Sequence, residues 1–209
     1  FGARTICTVH DHWGFCAKNT LLFSKSTICT DFENCHLCVD NVIDETGKAL
    51  PSRLRRDYLL YCLSKVDELV FPSRYLRDAY VNAGFDPTNM HYVSNGVEIE
   101  RFAEKKPKPK DAPLHVAVIG YLGEHKGLDV LIDAMEELRA DAALNGRWKV
   151  SIVGDGHMRA RVQKLSENPA WEGSCDYLGK LPQPDIPELL QDVDVVLLPS
   201  IWPENEPVV

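Results

Sequence analysis

The sequence predicts an α/β protein built on parallel sheets. Short apolar runs of strand length alternate with longer segments whose apolar residues recur every three or four positions. Glycine, serine, asparagine and proline stand between these segments as turn signals. This alternation favours βαβ units, in which ligands bind beyond the carboxyl ends of the strands.

The first 103 residues are predicted to form one α/β domain. Pro51 and Ser52 open a helix whose apolar residues recur at helical spacing up to Val66. Ser73 is expected to be the N-cap of a second helix, and Gly84 suits the end of that helix. The predicted strands of this domain are residues 4–9, 68–71 and 91–93.

Residues 104–113 are the predicted linker, because they hold three prolines and show no apolar periodicity. An exposed loop inside one domain is the alternative interpretation. Residues 114–209 form a second predicted α/β domain, with one helix after Gly127, another after Gly156 and a short one at 186–190. Its predicted strands are residues 114–120, 148–153, 175–178 and 194–198, the last of them buried.

The segment from Gly120 to Gly127 is the strongest ligand-binding candidate of the second domain. Gly123 lets the backbone approach a ligand closely, and Lys126 adds a positive charge beside the N–H groups that start the following helix. A diphosphate site can form where a strand is followed by a glycine loop with a lysine and then by a helix. A glycine turn with a solvated lysine is the alternative. The turn at Gly154–Gly156 repeats the pattern more weakly.

The composition excludes some classes of function. A net charge of −8 argues against a protein that binds a nucleic-acid backbone. No apolar run is long enough to cross a bilayer, and no signal-peptide pattern is found at the start of the sequence. The odd count of seven cysteines is unlike a secreted disulfide scaffold, so we expect a cytoplasmic protein with reduced thiols, and we expect no transmembrane segment. Peripheral contact with a membrane stays open.

Several short motifs, in their order along the chain, resemble those of glycosyltransferase family 4. The matching strings are Ser94-Asn95-Gly96-Val97 with Arg101-Phe102 ("NGV…RF"), 120–127 ("G…KG"), 153–156 ("VGDG"), 177–179 ("FLG"), 194–200 ("ADVVLLPS") and 203–209, which resembles the start of the family's signature pair of glutamates. The resemblance covers nearly the whole chain. It implies an α/β fold of the GT-B type, with two Rossmann-like domains and an active site between them.

The resemblance assigns the donor site to the second domain. Lys126 would bind the donor diphosphate, and Gly123 and Gly156 would let the backbone come close to it. Glu204, the first glutamate of the signature, would contact the donor sugar. The further residues whose backbone would approach the sugar or the phosphate are Asn205, Pro207 and Val208.

His10, at the end of the first predicted strand, matches the histidine that lies near the transferred sugar in similar enzymes. The resemblance implies that it hydrogen-bonds at the reacting centre, and a loop histidine satisfied by its neighbours is the alternative. The family often has an arginine where Tyr121 stands, so diphosphate binding would depend more on Lys126 and the helix N-terminus. The glutamate signature is incomplete at Val209, and we expect further sequence beyond both ends.

Four of the seven cysteines cluster in a predicted loop at 10–50, with the spacing C-x12-C-x5-C-x2-C. They are Cys16, Cys29, Cys35 and Cys38. Four thiolates that include a C-x-x-C pair can form a closed tetrahedral zinc site that orders a long loop. Unliganded thiols and disulfides are the alternatives, and the odd count argues against a secreted disulfide scaffold.

These patterns predict a retaining glycosyltransferase that moves a hexosyl group from a UDP- or GDP-sugar to a glycan or lipid-linked acceptor. The resemblance implies that catalysis requires no metal cofactor, so a zinc ion would be structural. Two alternatives stay open. One is a fragment that binds nucleotide or zinc and has no activity on its own, and the other is a different GT-B enzyme, such as a nucleotide-sugar epimerase or a phosphorylase.

Overall fold

The computed structural model of the chain describes residues 2–24, 27–102 and 107–206. It divides into two compact units. One comprises the chain up to Gly96 together with the segment that begins at Trp202, and the other comprises Val97–Ile201. Of the predicted linker, residues 104–106 lie outside the described residues. Further along it, Lys108 Nζ lies 2.9 Å from Asp194 Oδ2, so this part of the segment belongs to the second unit.

The first unit is built on a three-stranded parallel sheet with the order β1-β4-β5. Its elements in chain order are β1 (Ile6–Thr8), β2 (Asn41–Ile43), β3 (Ala49–Pro51), α1 (Ser52–Leu63), β4 (Glu68–Phe71), α2 (Arg74–Asn82) and β5 (Met90–Tyr92). The predicted strands and helices are all present, with β1 shorter than expected and α1 ending before Val66. Ser73 caps α2 as predicted, because its Oγ accepts a hydrogen bond from the N–H of Leu76 at 3.1 Å.

An antiparallel hairpin, β2 with β3, stands inside the segment that the sequence predicts to be a loop. The Asp44 carboxylate accepts hydrogen bonds from the N–H groups of Thr46 and Lys48, and Gly47 has a φ of 80°. These contacts fix the turn between two strands of three residues each, which are too short to show an alternating pattern.

The core of the first unit lies beneath its sheet and reaches under the long loop. Phe71, Leu76 and Tyr80 are completely or almost completely buried, and Phe15 from the loop packs edge-on against Tyr80 at 4.9 Å between ring centroids. The loop that follows β1 is therefore held to the body of this unit by aromatic packing.

The second unit is a four-stranded parallel sheet with the order β8-β7-β6-β9. Its elements in chain order are β6 (Leu114–Ile119), α3 (Leu128–Ala140), β7 (Trp148–Val153), α4 (Arg159–Ser166), β8 (Cys175–Gly179), α5 (Ile186–Asp192) and β9 (Val195–Val196). The chain moves outward from β6 through β7 to β8 and then returns to place β9 on the other side of β6. The strand order thus reverses between β6 and β9, and such a reversal is where ligands bind in open α/β sheets.

The prediction of a buried strand at 194–198 is wrong in length and in burial. Only Val195 and Val196 pair with β6, and their side chains are 43% and 40% exposed. Leu197 and Leu198 are exposed to a similar degree. This exposure shows that little of the described chain packs over the faces of β9, a property that an apolar run does not reveal.

A buried histidine joins β6 to β7 and to the end of α5. His115 Nδ1 donates to the carbonyl of Asp192 at 2.9 Å, and Nε2 lies 2.8 Å from Ser151 Oγ. Burial lowers the pKa of His115, so the neutral ring is favoured. Within the described ranges no helix is both long and apolar enough to span a membrane.

Candidate active site

The glycine loop that follows β6 is shaped by a close backbone contact. Gly127 has a φ of 71°, and a side chain there would come within 1.9 Å of the carbonyl oxygen of Pro199. The N–H of Ile201 also donates to the carbonyl of His125 at 3.0 Å. The loop after β6 and the segment after β9 therefore touch at the carboxyl ends of their strands, where the strand order reverses.

Lys126 lies at this contact, as the sequence predicts for a diphosphate ligand. It ends the single 3-10 turn Glu124–Lys126, its N–H donates to the carbonyl of Gly123 at 3.0 Å, and its side chain is half-buried. Helix α3 begins two residues later, and the N–H groups of its first turn have no acceptor within the helix. A lysine and the positive end of a helix thus stand side by side, which suits an anionic ligand.

The second predicted glycine turn packs against the first. A side chain at Gly156 would come within 2.4 Å of the carbonyl oxygen of Leu122, and the N–H of Leu122 donates to the carbonyl of Asp155 at 2.9 Å. Gly154 has a φ of 143°, and its N–H donates to the carbonyl of Gly179. Gly156 is therefore required by packing between the loops after β6 and β7, whether or not a ligand approaches it.

Three rings cluster on this rim, a feature that no sequence motif indicates. Tyr121 stacks on His125 at 5.9 Å between ring centroids, and its hydroxyl lies 3.3 Å from Nδ1 of His157. Tyr121 is 51% exposed. Each of these side chains can hydrogen-bond to a polar ligand. Their common placement could have been inferred, since all three follow β6 or β7 at the same edge of the sheet.

His10 follows β1 in the first unit, and its side chain is exposed. Its carbonyl accepts a hydrogen bond from the side-chain amide of Asn205 at 2.7 Å. The amide oxygen of Asn205 in turn accepts a hydrogen bond from the hydroxyl of Ser73, which follows β4. The structure therefore brings together His10 and Asn205, two residues that the sequence predicts for the site, and adds Ser73.

The hydroxyl of Tyr80 holds the turn after His10 in place through two hydrogen bonds. This buried hydroxyl donates to the carbonyl of Asp11 at 3.0 Å and accepts from the N–H of Gly14 at 2.9 Å. Burial raises the pKa of Tyr80 well above its ordinary value, so the hydroxyl keeps its proton. The side chain of Tyr80 also leaves no room for a larger residue at Gly14, because an added Cβ would lie 2.6 Å from the ring.

His12, two residues further on, is completely buried. Its Nδ1 donates to the carbonyl of Asn19 at 3.0 Å, which leaves Nε2 to accept from the hydroxyl of Tyr75 at 3.2 Å. Burial is the main cause that lowers the pKa of His12. The ring is therefore a neutral, structural part of the loop, and it forms an edge-to-face pair with the ring of Trp202 at 6.3 Å between centroids.

The acidic segment at the end of the described chain is also held by specific contacts. Trp202 Nε1 donates to Oε1 of Glu204 at 2.7 Å, and the N–H of Asn95 donates to Oε2 of Glu206 at 2.9 Å. Glu204, predicted to contact the donor sugar, is half-buried. Pro207 and Val208, which the sequence analysis also assigns to the site, lie outside the described residues.

The four clustered cysteines all line one cavity within the loop, together with apolar side chains such as Phe15 and Leu21. All seven cysteines of the chain are free thiols. Burial raises the pKa of Cys29 and of Cys35. Among the described residues, no three metal-binding side chains are already gathered at the separation that an ion would impose.

Comparisons with known proteins agree with this architecture. The family model "Glycosyl transferases group 1" matches residues 98–209, and the model "Glycosyltransferase Family 4" matches residues 1–101. WcaL of Salmonella typhimurium, a provisionally named colanic acid biosynthesis glycosyltransferase, is 31% identical over 118 residues. The amylovoran biosynthesis glycosyltransferase AmsK of Erwinia amylovora is 28% identical over 136 residues.

These matches cover 56% and 65% of the chain but only 28% and 33% of the two relatives, so the chain spans about a third of their length or less. Among solved structures, Anabaena HepE in complex with UDP is similar with a TM-score of 0.58 and 20% identity, over 79% of this chain and 46% of that one. TarM is similar with a TM-score of 0.55 and 23% identity, over 78% of this chain and 30% of that one. The fold is the α/β fold of the GT-B glycosyltransferases, and the chain belongs to the group 1 glycosyltransferases.

Proposed function

We propose that the protein to which this chain belongs is a retaining glycosyltransferase. It transfers a hexosyl group from a UDP- or GDP-sugar to a glycan or a lipid-linked acceptor. The observation that carries the proposal is the contact between the Lys126 loop and the segment after β9, where the strand order reverses, in a chain of the group 1 family. The names of WcaL and AmsK, which refer to colanic acid and amylovoran, support a glycan as the acceptor.

The second unit is the proposed binding site of the nucleotide sugar. Lys126 and the N–H groups at the start of α3 would neutralise the charge that develops on the diphosphate as the sugar leaves. Asp129 in the first turn of α3 forms an ion pair with Arg161. That partner reduces the repulsion between this carboxylate and the diphosphate. Because Gly123 and Gly156 carry no side chain, the backbone at these two positions can come close to the ligand.

The first unit is the proposed acceptor side. We assign His10 to hydrogen bonding at the reacting centre and Glu204 to contact with the donor sugar. The amide of Asn205 supports this assignment, because its hydrogen bond to the His10 carbonyl fixes the backbone from which the imidazole projects. The proposal requires no metal ion for the transfer step.

Donor binding can be tested on this chain by calorimetry with UDP, GDP and their sugars. HepE of the same fold was solved with UDP, which makes UDP the first ligand to measure. Lys126→Ala is expected to weaken binding by roughly 10- to 100-fold, the loss of one charge-assisted hydrogen bond. Lys164→Ala, which removes an exposed lysine from α4 in the same unit, is the matched control. Equal affinity of the two variants would refute the role of Lys126.

Transfer itself must be tested on the intact protein with a hexose-labelled donor. The expected product carries the hexose with the anomeric configuration that it has in the donor. An inverted product would contradict the retaining mechanism. Release of an epimerised sugar without any acceptor product would instead identify a nucleotide-sugar epimerase.

A further inference from the structure

One partly open cavity in the loop between β1 and α1 is lined by the four clustered cysteines. Its volume is about 60 Å³, enough for an ion. The three remaining cysteines of the chain, Cys7, Cys62 and Cys175, do not line it. Cysteines that are separated by up to 22 positions in the sequence thus line one small space, which helix or strand geometry alone does not produce.

The loop around this cavity has little regular structure to stabilise it. In the described residues from 15 to 40, the regular features are the 3-10 turn Cys35–Leu37 and an isolated bridge between Leu22 and Ile28. Asn19 and Leu21 have φ values of 61° and 54°. For a branched residue such as Leu21, this left-handed conformation costs about 1–2 kcal/mol. A loop this long and irregular is uncommon in a compact unit, and a crosslink would stabilise it beyond the aromatic packing of Phe15.

The donor atoms around the cavity are thiols. Asp31 is the acidic residue on the lining, and its carboxylate is already used by the loop itself. Oδ1 accepts from the N–H groups of Glu33 and Asn34, and Oδ2 accepts from the Asn34 side chain at 2.7 Å. Four thiolates without a free carboxylate suit a soft, tetrahedral ion and are a poor site for calcium or magnesium.

The backbone places Cys35 and Cys38 on one turn. Cys35 and Cys38 flank one 3-10 turn, in which the N–H groups of Cys38 and Val39 donate to the carbonyl of Cys35 at 3.1 and 2.9 Å. A C-x-x-C turn of this kind presents two sulfur atoms to one ion, and Cys16 and Cys29 supply two more from other parts of the cavity lining.

We propose that Cys16, Cys29, Cys35 and Cys38 bind one structural zinc ion. In the described structure the thiols of Cys29, Cys35 and Cys38 donate weakly to backbone carbonyls, with sulfur–oxygen distances of 3.3, 3.6 and 3.9 Å. Binding requires these side chains to turn into the cavity. Each of the four thiols releases its proton to solvent and forms a zinc–sulfur bond, and the ion is then closed to further ligands.

The ion would also fix the backbone beside the proposed reacting centre. The N–H of Cys16 donates to the carbonyl of His12 at 2.8 Å, so a metal bound to Cys16 holds the turn that follows His10. This role adds to the transfer reaction and does not depend on it. Metal binding can therefore succeed or fail independently of the proposed glycosyltransferase activity.

The proposal predicts one equivalent of zinc in the chain purified under reducing conditions, measured by elemental analysis. Replacing zinc with Co²⁺ is expected to give the intense visible absorption of a tetrahedral thiolate site. Alkylation followed by mass spectrometry should find Cys16, Cys29, Cys35 and Cys38 protected until the metal is removed by a chelator, whereas Cys175 is protected by burial alone. Alkylation of the four clustered thiols in the metal-loaded chain, a disulfide among the four, or a chain that takes up neither Zn²⁺ nor Co²⁺ would overturn the proposal.

Two variants test whether the clustered thiols bind an ion or only pack against one another. Cys29→Ser is expected to lower zinc affinity at least about tenfold. Cys62→Ser removes a half-buried thiol from α1, outside the cavity, and should leave the affinity unchanged. Equal affinity of both variants would contradict the assignment. If Cys29→Ser does not fold, the zinc content and thiol protection of the unmodified chain still decide the question.

Discussion

The contact between Gly127 and Pro199 allows a sharp test of how the proposed diphosphate loop is held. A methyl group at position 127 would lie 1.9 Å from the carbonyl oxygen of Pro199, and Gly127 has a φ of 71°. Gly127→Ala therefore meets two separate obstacles, the left-handed backbone and the collision. Gly146 has nearly the same φ, 74°, but nothing lies within 4 Å of the position of an added Cβ. Gly146→Ala thus meets the first obstacle alone.

The left-handed conformation costs an alanine about 1–2 kcal/mol. Forcing the backbone of the loop away from Pro199 adds about 1–3 kcal/mol, the usual cost of overpacking. We expect Gly127→Ala to lower the free energy of unfolding by about 2–5 kcal/mol, and Gly146→Ala by about 1–2 kcal/mol. The loss of chain entropy that alanine causes in the unfolded state is common to both variants and cancels in the difference.

Urea unfolding followed by tryptophan fluorescence measures this difference. Trp148 and Trp171 are buried in the second unit, and replacing Trp13 and Trp202 with phenylalanine confines the signal to them. With a slope of about 1–3 kcal/mol per molar urea, the midpoint of Gly127→Ala should lie about 1 M below that of Gly146→Ala. Coincident midpoints would show that the contact with Pro199 does not constrain the loop.

Two further predictions concern buried polar groups. Tyr80→Phe should destabilise the first unit by about 1–3 kcal/mol, because it leaves the N–H of Gly14 and the carbonyl of Asp11 without their partner. Urea unfolding measures this loss, and an unchanged midpoint would show that water replaces the hydroxyl. Burial lowers the pKa of both His12 and His115 below the ordinary value of 6.5, so the unfolded chain binds more protons below that pH. The melting temperature should therefore fall as the pH is lowered through and below 6.5, and a melting temperature that stays constant or rises there would contradict the assignment of neutral, buried rings.

Most regular elements could be predicted from the sequence because their patterns are local. The strands Leu114–Ile119 and Trp148–Val153 are apolar runs bounded by turn residues, and helix Leu128–Ala140 shows helical spacing throughout. The exposure of Val195 and Val196 could not be predicted, since it depends on what packs over the two faces of their strand.

The site shows the same division between local and distant information. The loop around Lys126 could be recognised because strand, glycine, lysine and helix follow one another directly in the sequence. The hydrogen bond from Asn205 to the His10 carbonyl joins residues that are far apart along the chain, and no periodic pattern in the sequence predicts such a pair. The two hydrogen bonds of Tyr80 cannot be predicted for the same reason, because an aromatic residue on the apolar face of a helix indicates core packing but not the partners of its hydroxyl.

The contact between Gly127 and Pro199 also has a consequence for synthesis on the ribosome. Strand β6 and the loop after it emerge about 70 residues before the segment that holds that loop in shape, so the proposed phosphate loop cannot be completed as it leaves the exit tunnel. The nascent sheet can pair β6 with β7 and β8 while the edge of β6 that later receives β9 is still open. Ligand-binding competence is therefore expected to appear late and in one step, when β9 pairs, and a nascent chain that stops before Pro199 should contain a folded sheet that does not bind the donor.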